Sequence, residues 1–133
     1  MEYISKLGNS LYNIPYEERT YEICKKAVEV NMNNFEYVPE YLKDYELCKL
    51  AVSRNPMLLR LVPCSCIKDE ICQIAFEKNP NTIRYFPNEY KSPAICLKAV
   101  EYNHENIKYI PEEKRMKEMY EIFINKIFNT SLC

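Results

Sequence analysis

The sequence predicts an all-α protein, a solenoid of tandem 24-residue helical hairpins. Three observations predict it. "RNPMLLRLVP" at 54–63 returns as "KNPNTIRYFP" at 78–87, 24 residues later. Written in rows of 24, Cys24, Cys48, Cys72 and Cys96 share a column, as do Ala27, Ala51, Ala75 and Ala99, and Asn31, Asn55, Asn79 and Asn103. The closing Pro39, Pro63, Pro87 and Pro111 keep the same register without an insertion. A fixed period of this size is the mark of a stacked repeat, whose rows cannot bury their apolar face alone.

The first half of each row reads as a helix. Ile23, Cys24, Ala27 and Val28 stand at i, i+1, i+4 and i+5, one face of a 3.6-residue period, with Glu22, Lys25, Lys26 and Glu29 on the other. Thr20, Asp44 and Ser92 occupy the N-cap position, and Pro93 the first helical one. Lys68 breaks that column, so the third cap is expected to shift to Asp69. Small Ala and Cys lie where neighbouring rows approach, and larger residues there would overpack.

The second half reads as a shorter helix of about six residues after a first of about eleven. Pro56 and Pro80 follow the Asn column, and a residue before Pro avoids the α region. Asn55 and Asn79 are therefore N-caps of the second helix. Asn31 and Asn103 lack that Pro and have the alternative of αL caps ending the first helix. Asn33 and Asn34 fall outside the column and are expected to matter little. A few residues of loop or 3₁₀ turn lead to the next row.

These columns divide the single domain, 1–133, into an N-terminal half-repeat cap at 1–19, rows at 20–43, 44–67, 68–91 and 92–115, and a capping helix at 116–133. In the first, Leu11, Ile14, Pro15 and Arg19 fit the second half of a row. In the last, Tyr120 replaces Cys and Phe123 replaces Ala.

Composition excludes several classes. The chain is 47% hydrophobic and 28% charged, a globular balance. A formal net charge of −1 lacks the basic excess of a general nucleic-acid binder. No apolar run approaches the ~20 residues of a membrane span, and "MEYISKLGNS" lacks the features of a signal peptide, so a cytoplasmic location is expected. Seven cysteines, an odd count, read as reduced thiols. One Gly, at position 8, argues against a phosphate loop. Lys outnumbers Arg 13 to 5, and Asn, Ile and Tyr are abundant, which points to an AT-rich genome.

Chemistry-bearing residues are sparse. A cysteine ladder spreads thiols along the stack, whereas zinc needs them at one point; buried small hydrophobes is the reading. Cys64 and Cys66 break the repeat in a loop, and metal or redox use would need His104 or Cys133 nearby. His104, the single histidine, reads as an exposed turn residue. No catalytic residue, metal or cofactor is expected. The candidate interaction surface is a basic stripe of Arg54, Arg60, Lys78, Arg84 and Lys108 with Tyr37, Tyr85 and Tyr109 beside it. Basic plus aromatic is the pattern of single-strand readers, but Glu36 shares the Arg60 column and Glu101 and Glu105 lie near Lys108. Met119, Tyr120, Phe123 and Ile127 form a terminal apolar stripe suited to self-association, making a homodimer a candidate.

"AVEVNMNNFEYVPEYLKDYELCKLAV", "AFEKNPNTIRYFPNEYKSPAICLKAV" and "AVEYNHENIKYIP" resemble a repeat family of unknown function, a module of about two such rows, abundant in giant DNA viruses of amoebae and present in some bacteria. The resemblance covers about 21–114. It implies a viral source and a host-cytoplasm location, and it carries over no activity and no site residue. The expected function is a non-enzymatic module for protein–protein interaction, directed at a host or viral protein. The alternative is nucleic-acid or anionic-ligand binding through the Arg/Lys stripe.

Overall fold

The computed structural model describes residues 10–132, with side chains to Phe128. Five α-helices begin 24 residues apart: α1 (Tyr21–Val30), α2 (Tyr45–Arg54), α3 (Asp69–Lys78), α4 (Pro93–Tyr102) and the longer α5 (Lys117–Leu132). Each of the first four is followed by a six-residue 3₁₀ segment, at Met32–Tyr37, Pro56–Leu61, Pro80–Tyr85 and His104–Tyr109. A three-residue 3₁₀ turn then leads to the next helix. The rows stack in sequence: the 3₁₀ segments lie one on the next, and α2, α3 and α4 each touch the 3₁₀ segment of the row before. This is the expected all-α helical-repeat solenoid.

The second helix of each hairpin is 3₁₀ rather than α. In a 3₁₀ helix, residues i and i+3 eclipse. Phe35, Leu59, Ile83 and Ile107 lie on these segments, the extended residues Val38, Val62, Phe86 and Ile110 stand three positions on, and all eight are buried.

Thr20, Asp44 and Ser92 cap α1, α2 and α4 as expected, each accepting from the amide three residues on. Row three differs from the expectation. Lys68 is the N-cap and gives no side-chain bond, while Asp69 is already helical and accepts instead from Gln73 Nε2 at 2.8 Å.

The Asn corner is uniform, which removes the αL alternative for Asn31 and Asn103. All four residues are extended, with φ between −141° and −157°. Each backbone N–H donates to the Ala carbonyl four residues back. Each side-chain oxygen accepts from the amide two residues on, at 3.0–3.2 Å. One residue thus ends the α-helix and starts the 3₁₀ helix, and no following Pro is needed.

Asn34 is also more than a bystander. It is buried, its Oδ1 accepts from Leu11 N and its Nδ2 donates to the Ala27 carbonyl, both at 2.9 Å. It fastens the N-terminal half row to row one. Asn106 donates likewise to the Ala99 carbonyl at 3.0 Å.

The core is one continuous column of Cys, Ala, Val, Leu, Ile and Phe side chains running from Leu11 to Met119. A second column ties rows together. Arg19 Nη1 donates to the Tyr37 carbonyl at 2.9 Å and Lys43 Nζ to the Leu61 carbonyl at 3.0 Å. Lys91 Nζ repeats the bond to the Tyr109 carbonyl. Each cation reaches 18 residues forward. Row two has Ile67 in that column.

Candidate functional surface

The four column thiols are closed to solvent: Cys24, Cys48, Cys72 and Cys96 are each at most 1% exposed. Burial pushes Cys24 up to about 11 and Cys48 and Cys72 up to about 12, and raises Cys96 as well. A thiol held protonated is neither nucleophile nor metal ligand. Cys64 and Cys66 are not in a loop: Cys64–Cys66 is the same 3₁₀ turn found in the other rows, with Cys64 exposed and Cys66 half-buried, its Sγ donating to the Lys43 carbonyl at 3.5 Å. No group of three or more His, Cys, Asp or Glu converges as metal ligands among the described residues; Cys133 lies outside them. His104 is not an exposed turn residue. It is half-buried, its ring 5.5 Å from that of Phe123 on α5.

The basic stripe divides in two. Arg60, Arg84 and Lys108 are exposed on successive stacked 3₁₀ segments. Arg54 ends α2 and donates back to the Glu29 and Val28 carbonyls at the end of α1, so it closes a row interface. Lys78 is exposed at the end of α3. Tyr37, Tyr85 and Tyr109 are half-buried beside the Arg60 column. Tyr37 packs instead on Tyr12, with centroids 5.2 Å apart, leaving Tyr85 and Tyr109 as the aromatic partners of the cations.

Arg84 makes the centre of this surface. Its guanidinium carbon lies 5.4 Å from the Tyr85 ring and 5.0 Å from the Tyr109 ring, so it bridges rows three and four. Lys108 Nζ lies 5.4 Å from the same Tyr109 ring. Each such contact contributes about 0.5–1 kcal/mol at an exposed site and holds the cation without neutralising it. Side-chain ion pairs among the described residues include Lys43–Glu40, Lys49–Glu70 and Lys117–Glu121. None involves Arg60, Arg84 or Lys108, so the ridge keeps three unneutralised charges.

The terminal stripe is redistributed. Met119 is fully buried and closes the core, because it continues the column of Ile23, Leu47, Ile71 and Ile95. Phe123 is half-buried beneath His104. Tyr120 and Ile127 are exposed, and Ile124 and Phe128 join them. The period of α5 could have separated these sets, since Met119 and Phe123 lie one helical turn apart.

No helix among the described residues is long and apolar enough to cross a membrane. A family model described as a domain of unknown function (DUF4116) matches residues 20–65 and again 44–91. The two matches begin 24 residues apart and each spans about two rows, so row two serves in both. No curated protein and no solved structure matches the chain.

Proposed function

The chain belongs to the DUF4116 family, and from that footing we propose that it is a non-enzymatic module for protein–protein interaction. The observation that carries the reading is the 3₁₀ ridge. Inside the stack, buried polar side chains are bonded among the described residues and the thiols are closed. What differs between rows faces outward: Glu36, Arg60, Arg84 and Lys108 share one exposed column. A target that is not itself repetitive calls for such variation, and stacked repeats supply an extended surface for it. Arg and Tyr are also the residues that dominate interface energetics.

The partner is an acidic segment of another protein, since the three cations carry no carboxylate of their own. The composition and the family resemblance support a viral chain acting on a host or viral protein in the host cytoplasm. Nucleic acid is the second reading, favoured by the Arg84–Tyr109 stack and opposed by Glu36 in the same column and by a net charge of −1.

Arg60→Glu with Arg84→Glu separates them. Both side chains are exposed, so folding should be unchanged by far-UV circular dichroism. Affinity capture by the wild type should recover a protein that the double variant loses, in nuclease-treated lysate. Tight RNA or DNA binding by the wild type, falling steeply with salt and absent in the double variant, would overturn the protein reading.

A further inference from the structure

The 3₁₀ ridge carries two columns side by side, and their common period limits what can lie along it. Arg60, Arg84 and Lys108 are exposed in one. Leu61, Tyr85 and Tyr109 are half-buried in the next. Each of these rows therefore offers one cation and, beside it, one apolar surface. Arg84 lies 5.4 Å from Tyr85 of its own row and 5.0 Å from Tyr109 of the following one, and Lys108 lies 5.4 Å from Tyr109. Cation and ring thus alternate across the step between rows three and four. Packed helical elements stand about 8–10 Å apart, and the pattern repeats at that interval. Row one ends it: Glu36 takes the place of the cation, and Tyr37 packs on Tyr12.

A matching segment must present a carboxylate and an apolar group at the same interval. A β-strand returns to one face every second residue, at about 6.6–6.8 Å, short of a row step. An α-helix returns to one face after seven residues, at about 10.5 Å. It docks, however, by an apolar stripe laid in a groove, and the outermost groups of this ridge are charged. Polyproline II has three residues per turn and a rise of about 3.1 Å. Every third side chain then recurs on one face at about 9.3 Å, one row step. The residue next to each carboxylate, when proline, meets the apolar column, and aromatic surfaces are where such segments dock.

We propose, resting on the protein-interaction reading of this surface, that the partner segment is a polyproline II stretch with a carboxylate at every third residue and proline beside it. The first and third carboxylates are six residues and about 18.6 Å apart, the two row steps from Arg60 to Lys108. A segment of nine residues is therefore long enough. Its conformation is already extended and populated before binding, which reduces the ordering cost. A fourth carboxylate in register on the row-one side meets Glu36 and is repelled, so the match stops at three.

Fluorescence anisotropy of labelled peptides with the full chain tests this. Three tandem Glu-Pro-Ala triplets should bind at least about threefold tighter than an isomer of the same composition with glutamate at every second residue. Arg60→Glu with Arg84→Glu, folded by circular dichroism, should lose that preference. Glu36→Lys should tighten the binding of four triplets by about two- to fivefold, and by more than it tightens three.

Four results would each overturn the proposal: no binding of the triplets, equal affinity for the isomer, tighter binding of a helical peptide with glutamates seven residues apart or of oligouridine, or a Glu36→Lys gain no larger for four triplets than for three. If any of these occurs while the wild type still captures a protein that the double arginine variant loses, the polyproline II partner falls and the interaction reading stands. Capture of no protein by the wild type would instead sink the reading on which the proposal rests.

Discussion

Replacing Lys43 with Met should cost the protein about 1.5–4 kcal/mol, although a lysine of a small helical protein is ordinarily a surface residue. Lys43 is 8% exposed. Its Nζ donates to the Leu61 carbonyl at 3.0 Å and to Glu40 Oε1 at 2.7 Å, and lies 4.8 Å from the Phe35 ring. Met keeps most of the apolar stem and its packing. What it removes is the donor. Leaving the carbonyl unpaired costs about 1–3 kcal/mol, and losing the cation over Phe35 adds about 0.5–1 kcal/mol. The Glu40 carboxylate is solvated and adds little. The same substitution at exposed Lys108 should cost no more than the about 0.5–1 kcal/mol of its contact with Tyr109. Equilibrium urea unfolding followed by circular dichroism measures both. If Lys43→Met unfolds at the same urea concentration as Lys108→Met, the bond between rows has no energetic role and the argument fails.

Cys24, Cys48, Cys72 and Cys96 should resist a thiol reagent in native buffer and react after denaturation, while Cys64 reacts at once; rapid native labelling of the four would contradict the stacking. Asn55→Ala and Asn79→Ala should each cost about 0.5–2 kcal/mol, and Asn31→Ala and Asn103→Ala the same. Asn33→Ala should cost far less, and equal losses at all five in urea titrations would deny the corner its role. Alkali should destabilise the fold. Burial raises Cys48 and Cys72 from an ordinary 9.0 to about 12, and the bond to Glu70, with burial, raises Tyr45 from 10.0 to about 12. Groups raised on folding contribute fully below their unfolded values and lose that contribution as pH rises through the folded ones. Thermal midpoints should therefore fall between about pH 9 and 12, and a flat profile there would refute it.

The architecture was legible because a 24-residue period repeats burial as well as residue type. Cys48 and Ala51 announce a core face by recurring at helical spacing, whatever the partner. The 3₁₀ character of Pro56–Leu61 was not legible. The seven residues between an Asn cap and the closing Pro fit either helix, because positions three apart fall near one face in both. The carbonyl-holding column of Arg19, Lys43 and Lys91 was visible as a periodicity, but Ile67 interrupts it and lysine is usually solvated. Of the candidate surface, Arg60, Arg84 and Lys108 stand exposed where the columns put them. The recruitment of Arg54 to the α1 carbonyls depends on a contact 25 residues away, which its neighbours in the chain do not reveal.

The Pro that ends each 3₁₀ segment also acts before the chain folds. Pro39, Pro63, Pro87 and Pro111 take φ of −57°, −59°, −62° and −55°, values the pyrrolidine ring imposes in any state. The disordered ensemble is thereby narrowed once per row at an angle the native corner already uses. At about 0.4–1 kcal/mol for each compatible proline, the four together favour folding by about 2–4 kcal/mol without making a contact. A single glycine in 133 residues adds little loosening in return. Short 3₁₀ rows, which have weak hydrogen-bond geometry, persist here partly because their unfolded alternatives are few.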